Sequence, residues 1–448
     1  MRKIRLLIDQ LLLLTLCSSP ALWKLIDLSA GAKIAAIILL SLFYIVYLIS
    51  AGGRQDKNSK LNRIAKGTFL IDGSVLSLFL HTVIVILLII LSGLNGWRQV
   101  ANALTGYALI ASAAFAGMIR LVVSSRQVKP VKYIVLLFTW YIPIVNMIVL
   151  RSISRSAKKE FYFEQAKQEL DDMRKESEVC KTKYPILMVH GIFFRDWQMF
   201  NYWGRVPKEL VRNGAEVYYG NQQSANLIST SAGELRDRIE EVIRETGAPK
   251  LNIIAHSKGG LDSRYAISKL GMDKYVASLT TINTPHNGCE FADYLLGKAP
   301  EGLKEKVAKT YNSALKKLGD KNPSFIAAVT DLTATGCRRI NEEIGNFDFR
   351  KHGVYTQSVG SWMKSPASGA FPLNMSYLLV KHFDGPNDGL VGEPSFHFGE
   401  NYTFLENKKS NRGISHGDMI DLNRENIDGF DVREFYVQLV ADLKKMGL

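Results

Sequence analysis

The most constraining feature of the chain is a series of apolar blocks within its first 150 residues. Four of them have the roughly 20 residues that a bilayer-spanning helix needs: Ile34–Ser50, Ser74–Leu94, Ala101–Val123 and Val131–Leu150. A shorter block, Leu11–Trp23, fits a fifth span, an interfacial helix or the apolar part of a signal peptide, but a cleavable signal does not explain the blocks that follow. The pattern predicts an all-α transmembrane module of four to five spans over residues 1–155.

The net charge of the chain is concentrated in the same region. Residues 1–160 contain 19 Lys and Arg against 5 Asp and Glu, which accounts for the whole formal excess of +14, because residues 161–448 contain 37 of each sign. A strongly basic protein is a candidate for nucleic-acid binding. Here the basic residues alternate with apolar blocks, which is typical of loops beside a membrane. We therefore expect a lipid bilayer as a partner and no nucleic acid.

The distribution of basic residues among the loops predicts the topology. Loops rich in Lys and Arg remain in the cytoplasm. Connections 51–67 and 124–130 are basic, whereas the connection between them carries only Arg98. This pattern predicts a multi-pass protein of the cell membrane whose last span exits on the extracytoplasmic side. Four basic residues between positions 151 and 159, directly after that span, argue against this placement.

After the apolar blocks, the sequence changes character twice. Residues 156–182 are polar with a thin apolar side, and they predict a helical stalk. From residue 183 onward, short apolar segments alternate with helix-compatible ones. The predicted strands are Tyr184–Val189, Glu216–Tyr219, Leu251–Ala255 and Val276–Ile282, and the predicted helices include Ala232–Glu245 and Gly260–Leu270. The alternation predicts an α/β domain over residues 183–448, a mainly parallel sheet with helices on both faces.

One motif in this domain has the form of a nucleophile elbow. The segment Ala255-His256-Ser257-Lys258-Gly259 follows an apolar strand and precedes a helix-compatible segment. A serine on such a strand-to-helix turn requires small residues two positions before and after it, although Ala255 stands where glycine is usual. The alternative is an ordinary turn with a solvent-facing serine. The context favours Ser257 as a nucleophile.

A serine nucleophile needs a base and an orienting carboxylate. In this architecture the chain order is serine, acid, histidine. Asp388 and His416 satisfy that order, and both lie in turn-rich segments. Asp384 is a rival acid, and His382 and His397 are rival bases.

Two backbone N–H groups are expected to bind the oxyanion. One belongs to the residue after the nucleophile, Lys258, and the other to the loop after an early strand. The segment Val189-His190-Gly191-Ile192 fits that loop and indicates Ile192 as the donor. His190 precedes the nucleophile in the chain, so we interpret it as a structural residue.

Residues 183–446 resemble the bacterial true lipases of the α/β-hydrolase fold, including the staphylococcal, thermophilic Bacillus-type and Pseudomonas-type enzymes. Six segments carry the resemblance in the same order along the chain: Pro185–Gly191, Asn201–Gly204, Ile254–Gly260, Leu279–Gly288, Asn387–Val391 and Phe430–Tyr436. The resemblance implies Ser257 as nucleophile, Asp388 as acid and His416 as base. It also supports Ile192 and Lys258 as oxyanion donors.

The resemblance also bears on metals. Thermophilic Bacillus-type lipases carry a zinc-binding insert with additional histidines, but no histidine lies between Tyr219 and Leu251, so we expect no zinc. Many relatives hold a structural calcium near the catalytic histidine. Asp418 occupies a matching position and Asp421 is near, which leaves a structural calcium open, with solvated loop acids as the alternative. The predicted chemistry requires no cofactor.

Phe291–Gly319 is a candidate for an amphipathic lid, because it combines apolar residues at mainly helical spacing with six lysines. A core-packing helix is the alternative.

Together these features predict a membrane-anchored serine lipase or esterase that hydrolyses acylglycerols or other lipid carboxylic esters through an acyl-enzyme on Ser257. Two alternatives remain open: a lipid acyltransferase with the same triad, and a catalytically inactive membrane interaction protein.

Overall fold

The chain divides into two compact units, Met1–Leu170 and Asp171–Leu448. The computed structural model describes residues 2–26, 29–53, 56–91, 96–139, 142–192, 201–317 and 319–448.

The first unit is helical throughout its described part. Its helices are α1 (Arg2–Cys17), α2 (Ser19–Leu25), α3 (Ala30–Ser50), α4 (Ser59–Leu91), α5 (Gly96–Ser124), α6 (Pro130–Phe138) and α7 (Pro143–Arg174), the last of which continues into the second unit. Helices α3, α4 and α5 are long and apolar enough to cross a membrane. Large apolar side chains on these helices are exposed, among them Leu39, Ile90 and Val123. Such continuous apolar faces are typical of helices that contact lipid.

The structure differs from the prediction for the fourth span. Val131–Leu150 is divided between α6 and α7, so it does not form one helix of spanning length. Proline lacks a backbone N–H and does not continue a helix that precedes it, which explains why α7 begins at Pro143. Residues 92–94 of the second predicted span and 140–141 of the fourth lie outside the described residues. The polar segment predicted as a stalk is the C-terminal part of α7 and the turns that follow it.

The second unit contains a six-stranded sheet, and every strand pair in it is parallel. The strand order is β2-β1-β3-β4-β5-β6. The strands are β1 (Ile186–Val189), β2 (Val217–Tyr219), β3 (Leu251–His256), β4 (Val276–Ile282), β5 (Tyr355–Ser361) and β6 (Asn401–Leu405). The predicted α/β fold is confirmed, and β5 and β6 are strands that the apolar pattern did not reveal.

Helices connect the strands and cover the sheet. They are α8 (Val206–Arg212), α9 (Ile228–Thr246), α10 (Lys258–Lys269), α11 (Glu290–Lys298), α12 (Glu301–Lys317), α13 (Phe325–Asp331), α14 (Ala334–Ile344), α15 (Leu373–Asp384) and α16 (Val432–Lys445).

Two apolar cores lie on opposite faces of the sheet. Successive strand residues point to opposite faces. Ile186 and Met188 therefore pack with α8 and α16, whereas Leu187 and Val189 pack with α9 and α10. Because both faces are covered, the central strands are continuously apolar. The carboxyl ends of β1, β3 and β4 are thereby fixed at one edge, where the candidate site lies.

Candidate active site

Ser257 lies in a strained turn between β3 and α10. Its backbone has φ +55° and ψ −131°, a conformation that residues other than glycine rarely adopt and that is typical of a nucleophile elbow. The Ser257 N–H donates to the carbonyl of Ile282 at 2.9 Å, and the Thr284 hydroxyl donates to the carbonyl of Ser257 at 2.9 Å. The turn is therefore fixed by the end of β4.

Two glycines after Ser257 allow the turn to pack this closely. A Cβ on Gly259 would lie 2.4 Å from the carbonyl oxygen of His190, and a Cβ on Gly260 would lie 2.1 Å from the Thr284 hydroxyl oxygen. The elbow helix therefore rests directly on the backbone of the loop after β1. This contact explains why the sequence has glycine at both positions.

The structure brings Asp388 and His416 together. The His416 Nδ1–H donates to Oδ2 of Asp388 at 2.7 Å, and the His416 backbone N–H donates to the Asp388 carbonyl at 2.9 Å. Both side chains are buried. With Nδ1 bound to the carboxylate, the neutral imidazole has its lone pair on Nε2, the atom that accepts a proton in a serine triad.

Three further donors fix the Asp388 carboxylate. The backbone N–H groups of Leu390 and Val391 donate to Oδ1 at 2.9 and 2.8 Å, and the Asn283 side-chain amide donates to Oδ2 at 2.5 Å. Asn283 follows β4 and was not predicted as part of the site. These donors hold the carboxylate in a fixed position beside the histidine.

The loop after β1 approaches the nucleophile closely. A Cβ on Gly191 would lie only 2.8 Å from the Cβ of Ser257. Within the described part of the chain, the backbone N–H groups of Ile192 and Lys258 donate to no other protein atom. Lys258 is also the first residue of α10, where the helix dipole favours negative charge. Lys258 thus follows the nucleophile directly, and Ile192 is the residue after the glycine that packs on Ser257, so both remain candidate oxyanion donors.

Comparison with known proteins identifies the family of this chain. The family model for palmitoyl protein thioesterase matches residues 185–324. A triacylglycerol lipase of Vibrio cholerae is 31% identical over 244 residues, which are 49% of this chain and 76% of that protein. This chain belongs to the triacylglycerol lipase family.

Other relatives agree with this membership. A triacylglycerol lipase of Pseudomonas fragi is 27% identical over 295 residues, 60% of this chain and 98% of that protein. The Staphylococcus hyicus lipase structure covers 59% of this chain and 97% of its own, with 18% identity and a TM-score of 0.45. Because the chain belongs to the triacylglycerol lipase family and has a parallel sheet covered by helices, it is a carboxylic ester hydrolase with an α/β-hydrolase fold. The predicted resemblance to bacterial lipases is confirmed.

The lipase contains a second histidine beside the proposed base. His256 is fully buried, and its ring centroid lies 4.4 Å from that of His416. Burial, and then the proximity of His416, lower the pKa of His256 well below its usual value, so its imidazole is neutral at neutral pH. Its Nε2–H donates to the His416 carbonyl at 3.2 Å, and its Nδ1 accepts from the Tyr202 hydroxyl at 2.7 Å. These two hydrogen bonds connect Tyr202, through His256, to the backbone of His416.

The rival bases lie at the surface of this lipase, and the rival acid has another role. His382 and His397 are exposed. Both oxygens of Asp384 accept backbone N–H groups at the start of α11, and Asp384 lines a cleft of about 650 Å³ that includes none of Ser257, Asp388 and His416.

The predicted calcium ligands do not fit a metal. Oδ1 of Asp418 accepts from the Arg412 guanidinium at 2.8 Å, and Oδ2 accepts from the backbone N–H and hydroxyl of Ser415. Both oxygens of Asp421 accept from the Arg205 guanidinium, at 2.7 and 2.8 Å. The carboxylates are therefore already neutralised by arginine, and no set of three or more metal-ligating side chains occurs among the described residues.

The candidate lid consists of two different parts. Phe291 in α11 packs against Val391 and is anchored to the domain. In α12, Leu303 and Tyr311 are 52% and 43% exposed, whereas Leu315 at the other end of the helix is buried and belongs to the same cluster as Ile192. Leu303 thus keeps α12 as a lid candidate, although Tyr294 and Leu295 of α11 are also exposed, at 45% and 44%.

Proposed function

We propose that this lipase is anchored in a membrane by its helical unit and hydrolyses acylglycerols or other lipid carboxylic esters through an acyl-enzyme on Ser257. The observation that carries the proposal is a strained serine at an elbow turn together with the buried His416–Asp388 pair. The acylglycerol class is supported by the names of the relatives, which are triacylglycerol lipases.

In the first step, Ser257 Oγ attacks the ester carbonyl while His416 Nε2 accepts its proton. Asp388 stabilises the imidazolium that forms, because its carboxylate already binds Nδ1. The N–H groups of Ile192 and Lys258 bind the tetrahedral oxyanion. The imidazolium then gives its proton to the leaving alcohol, and the acyl group remains on the serine.

In the second step, water replaces the alcohol. His416 Nε2 accepts a proton from the water, the hydroxide attacks the acyl-enzyme carbonyl, and the same two N–H groups bind the second oxyanion. The imidazolium returns its proton to Ser257 Oγ, which releases the fatty acid. An alcohol acceptor in place of water gives acyl transfer instead, so the acceptor decides between lipase and acyltransferase.

The helical unit supports a location for the chemistry at a membrane. Helices α3, α4 and α5 have the length and apolarity of membrane spans. The basic connections 51–67 and 124–130 support a multi-pass protein with these connections in the cytoplasm. A hydrolase unit outside the cytoplasm further requires that residues 131–150 cross the membrane as the broken pair α6 and α7. Membrane lipids are then the substrates within reach of the site.

The test uses the full chain purified in detergent. Wild type is expected to react with a fluorophosphonate probe and to release fatty acid from triacylglycerol, whereas Ser257→Ala does neither. Ser268→Ala is the matched control, because Ser268 lies in the last turn of α10 and its hydroxyl donates to the Arg264 carbonyl. Unchanged hydrolysis by Ser257→Ala would overturn the proposal, and an unlabelled wild type would indicate an inactive interaction protein.

A substrate panel then distinguishes ester classes. Triacylglycerol, a phospholipid and a palmitoyl thioester are offered separately, since the matching family model is that of a thioesterase. Preference for an oxygen ester of glycerol supports the proposal, and preference for the thioester contradicts the substrate class. Acyl products formed with an added lipid alcohol, in place of free fatty acid, would identify an acyltransferase.

A further inference from the structure

The side chain of Lys258 is buried directly beneath the nucleophile. Its ammonium donates to Oδ1 of Asp262 at 2.8 Å and to the Ser231 hydroxyl at 2.9 Å, and both charged side chains are 1% exposed. Burying two charges costs several kcal/mol per ion before their attraction is counted. Apolar side chains would fill this position at a lower cost in free energy, so the buried ion pair indicates a specific role.

The pair connects to the other half of the oxyanion site. The Gln222 side-chain amide donates to the His190 carbonyl at 3.0 Å, and the Ser231 hydroxyl, which accepts from Lys258, donates to the carbonyl of Gln223 at 3.3 Å. His190 is two residues before Ile192. A buried network thus runs from the side chain of Lys258, which Asp262 holds, through Ser231 and the backbone of Gln223 and Gln222, to the loop of His190 and Ile192.

The network lies where α10 and the loop after β1 are already in contact. Gly259 leaves so little space that a Cβ there would overlap the His190 carbonyl oxygen. This contact sets how closely the segments approach, but a single van der Waals contact leaves sliding and rotation open. Directional hydrogen bonds on the same carbonyl restrict those movements. The two backbone N–H groups must both lie 2.7–3.1 Å from the same oxyanion, and restricted movement of the two segments favours that geometry.

We propose that Asp262 and Gln222, with the ammonium of Lys258, form a positioning network that holds the two oxyanion donors at a fixed separation. Asp262 and Gln222 contact no reacting atom, so they are positioning residues. The inference rests on the proposed serine mechanism. It assigns a role to a buried ion pair that the triad itself does not use.

The experiment measures transition-state binding separately from substrate binding. Asp262→Asn and Gln222→Met are made in the full chain, and kcat and KM are measured with a soluble p-nitrophenyl butyrate. Inhibition is measured with phenylboronic acid, which adds a serine oxygen to boron and directs a boronate oxygen toward the donors. Inhibition is also measured with an unreactive ether analogue of the substrate.

A displaced donor weakens only binding that involves the oxyanion. We expect kcat to fall about 10-fold or more in both variants, below the ~10²–10³ loss of a whole donor. The inhibition constant of the boronic acid should rise by a similar factor, while KM and the ether constant stay within about twofold. Asp331→Asn is the matched control, since Asp331 is a buried carboxylate paired with Arg339 and belongs to neither donor segment.

The outcomes separate the two proposals. If Ser257→Ala is inactive but both network variants keep wild-type kcat and boronate affinity, the positioning network is wrong and the serine mechanism stands. An equal loss of boronate affinity in Asp331→Asn would show a general structural effect and would also overturn the network. If Asp262→Asn does not fold, Gln222→Met decides alone, because it removes only the donor to His190.

Discussion

A methyl group on Gly191 would lie 2.8 Å from the Cβ of Ser257 and 2.7 Å from the Tyr202 hydroxyl. The loop that carries Ile192 therefore packs on the nucleophile without an intervening side chain. Backbone groups reach a reacting atom only where side chains are absent. The closeness of these two residues thus determines whether the Ile192 N–H reaches the oxyanion.

Gly191→Ala is expected to lower kcat by about 10-fold or more, because the methyl group displaces the loop and its donor. The measurement is steady-state hydrolysis of p-nitrophenyl butyrate. Gly233→Ala in α9 is the matched control, since a Cβ there meets no atom within 4 Å. Wild-type kcat in Gly191→Ala would show that Ile192 is not an oxyanion donor.

Asp388→Asn is expected to lower kcat by roughly 10⁴, the loss typical of a triad whose histidine is held in the wrong tautomer. An amide at this position offers Nδ1 a donor where the carboxylate accepts the Nδ1–H at 2.7 Å. The same ester assay measures the effect. Asp384→Asn serves as the control, because its carboxylate caps the start of α11. A larger loss from Asp384→Asn would make Asp384 the acid.

Charge at the exposed Leu303 and the half-buried Val307 of α12 is expected to impair hydrolysis at a lipid surface. Leu303→Glu combined with Val307→Glu should lower hydrolysis of emulsified triacylglycerol severalfold more than hydrolysis of soluble butyrate esters, because carboxylates oppose insertion into lipid. Val211→Glu, at an exposed apolar residue of α8, is the control. Equal losses on both substrates would contradict a lid function.

Chelation with EDTA is expected to leave the melting temperature of the full chain unchanged, because arginine already neutralises the acids beside His416. Arg412→Met should instead lower the free energy of unfolding by on the order of 3 kcal/mol, since it leaves the buried Asp418 carboxylate without its cation. Arg350→Met, which removes an exposed ion pair, should cost about 1 kcal/mol or less. Destabilisation by EDTA that added calcium reverses would show a metal site.

Asp262 is expected to give the stability of the chain a pH dependence of unusual sign. Burial raises its pKa to about 6, against an ordinary value of 3.8, although Lys258 opposes the shift. The folded chain then binds the proton more tightly than the unfolded chain, so this contribution to stability decreases as pH rises from about 4 to 6. Asp262→Asn removes the titration. The melting temperature of wild type minus that of the variant should therefore fall over this range, and a rise would contradict the assignment.

The central part of the site was predictable because its residues follow local rules. The elbow at Ser257 has a strand before it, a helix after it and small residues at fixed offsets, and the structure contains each of these features. Asp388 and His416 followed from chain order, and the structure joins them. Apolar continuity also predicted β1, β3 and β4, because these strands are buried on both faces.

Other parts of the fold depend on contacts that no local pattern encodes. Strand β5 is polar, yet Thr356 and Ser358 are buried in it and Ser361 donates to the Ile414 carbonyl. Hydrogen bonds to distant segments replace apolarity there, so periodicity missed the strand. Gln222 illustrates the same limit for the site, since its partner His190 is 32 residues away and only the assembled sheet brings them together.

The sheet order has a consequence for newly made protein. His256 and His416 touch although 160 residues separate them, and β5 and β6 are added to the sheet between the two. While the ribosome is still making those strands, the serine of the elbow has no base to activate it. With His416 as the base, we therefore expect hydrolytic competence to arise late in synthesis, and an interrupted translation product to lack it.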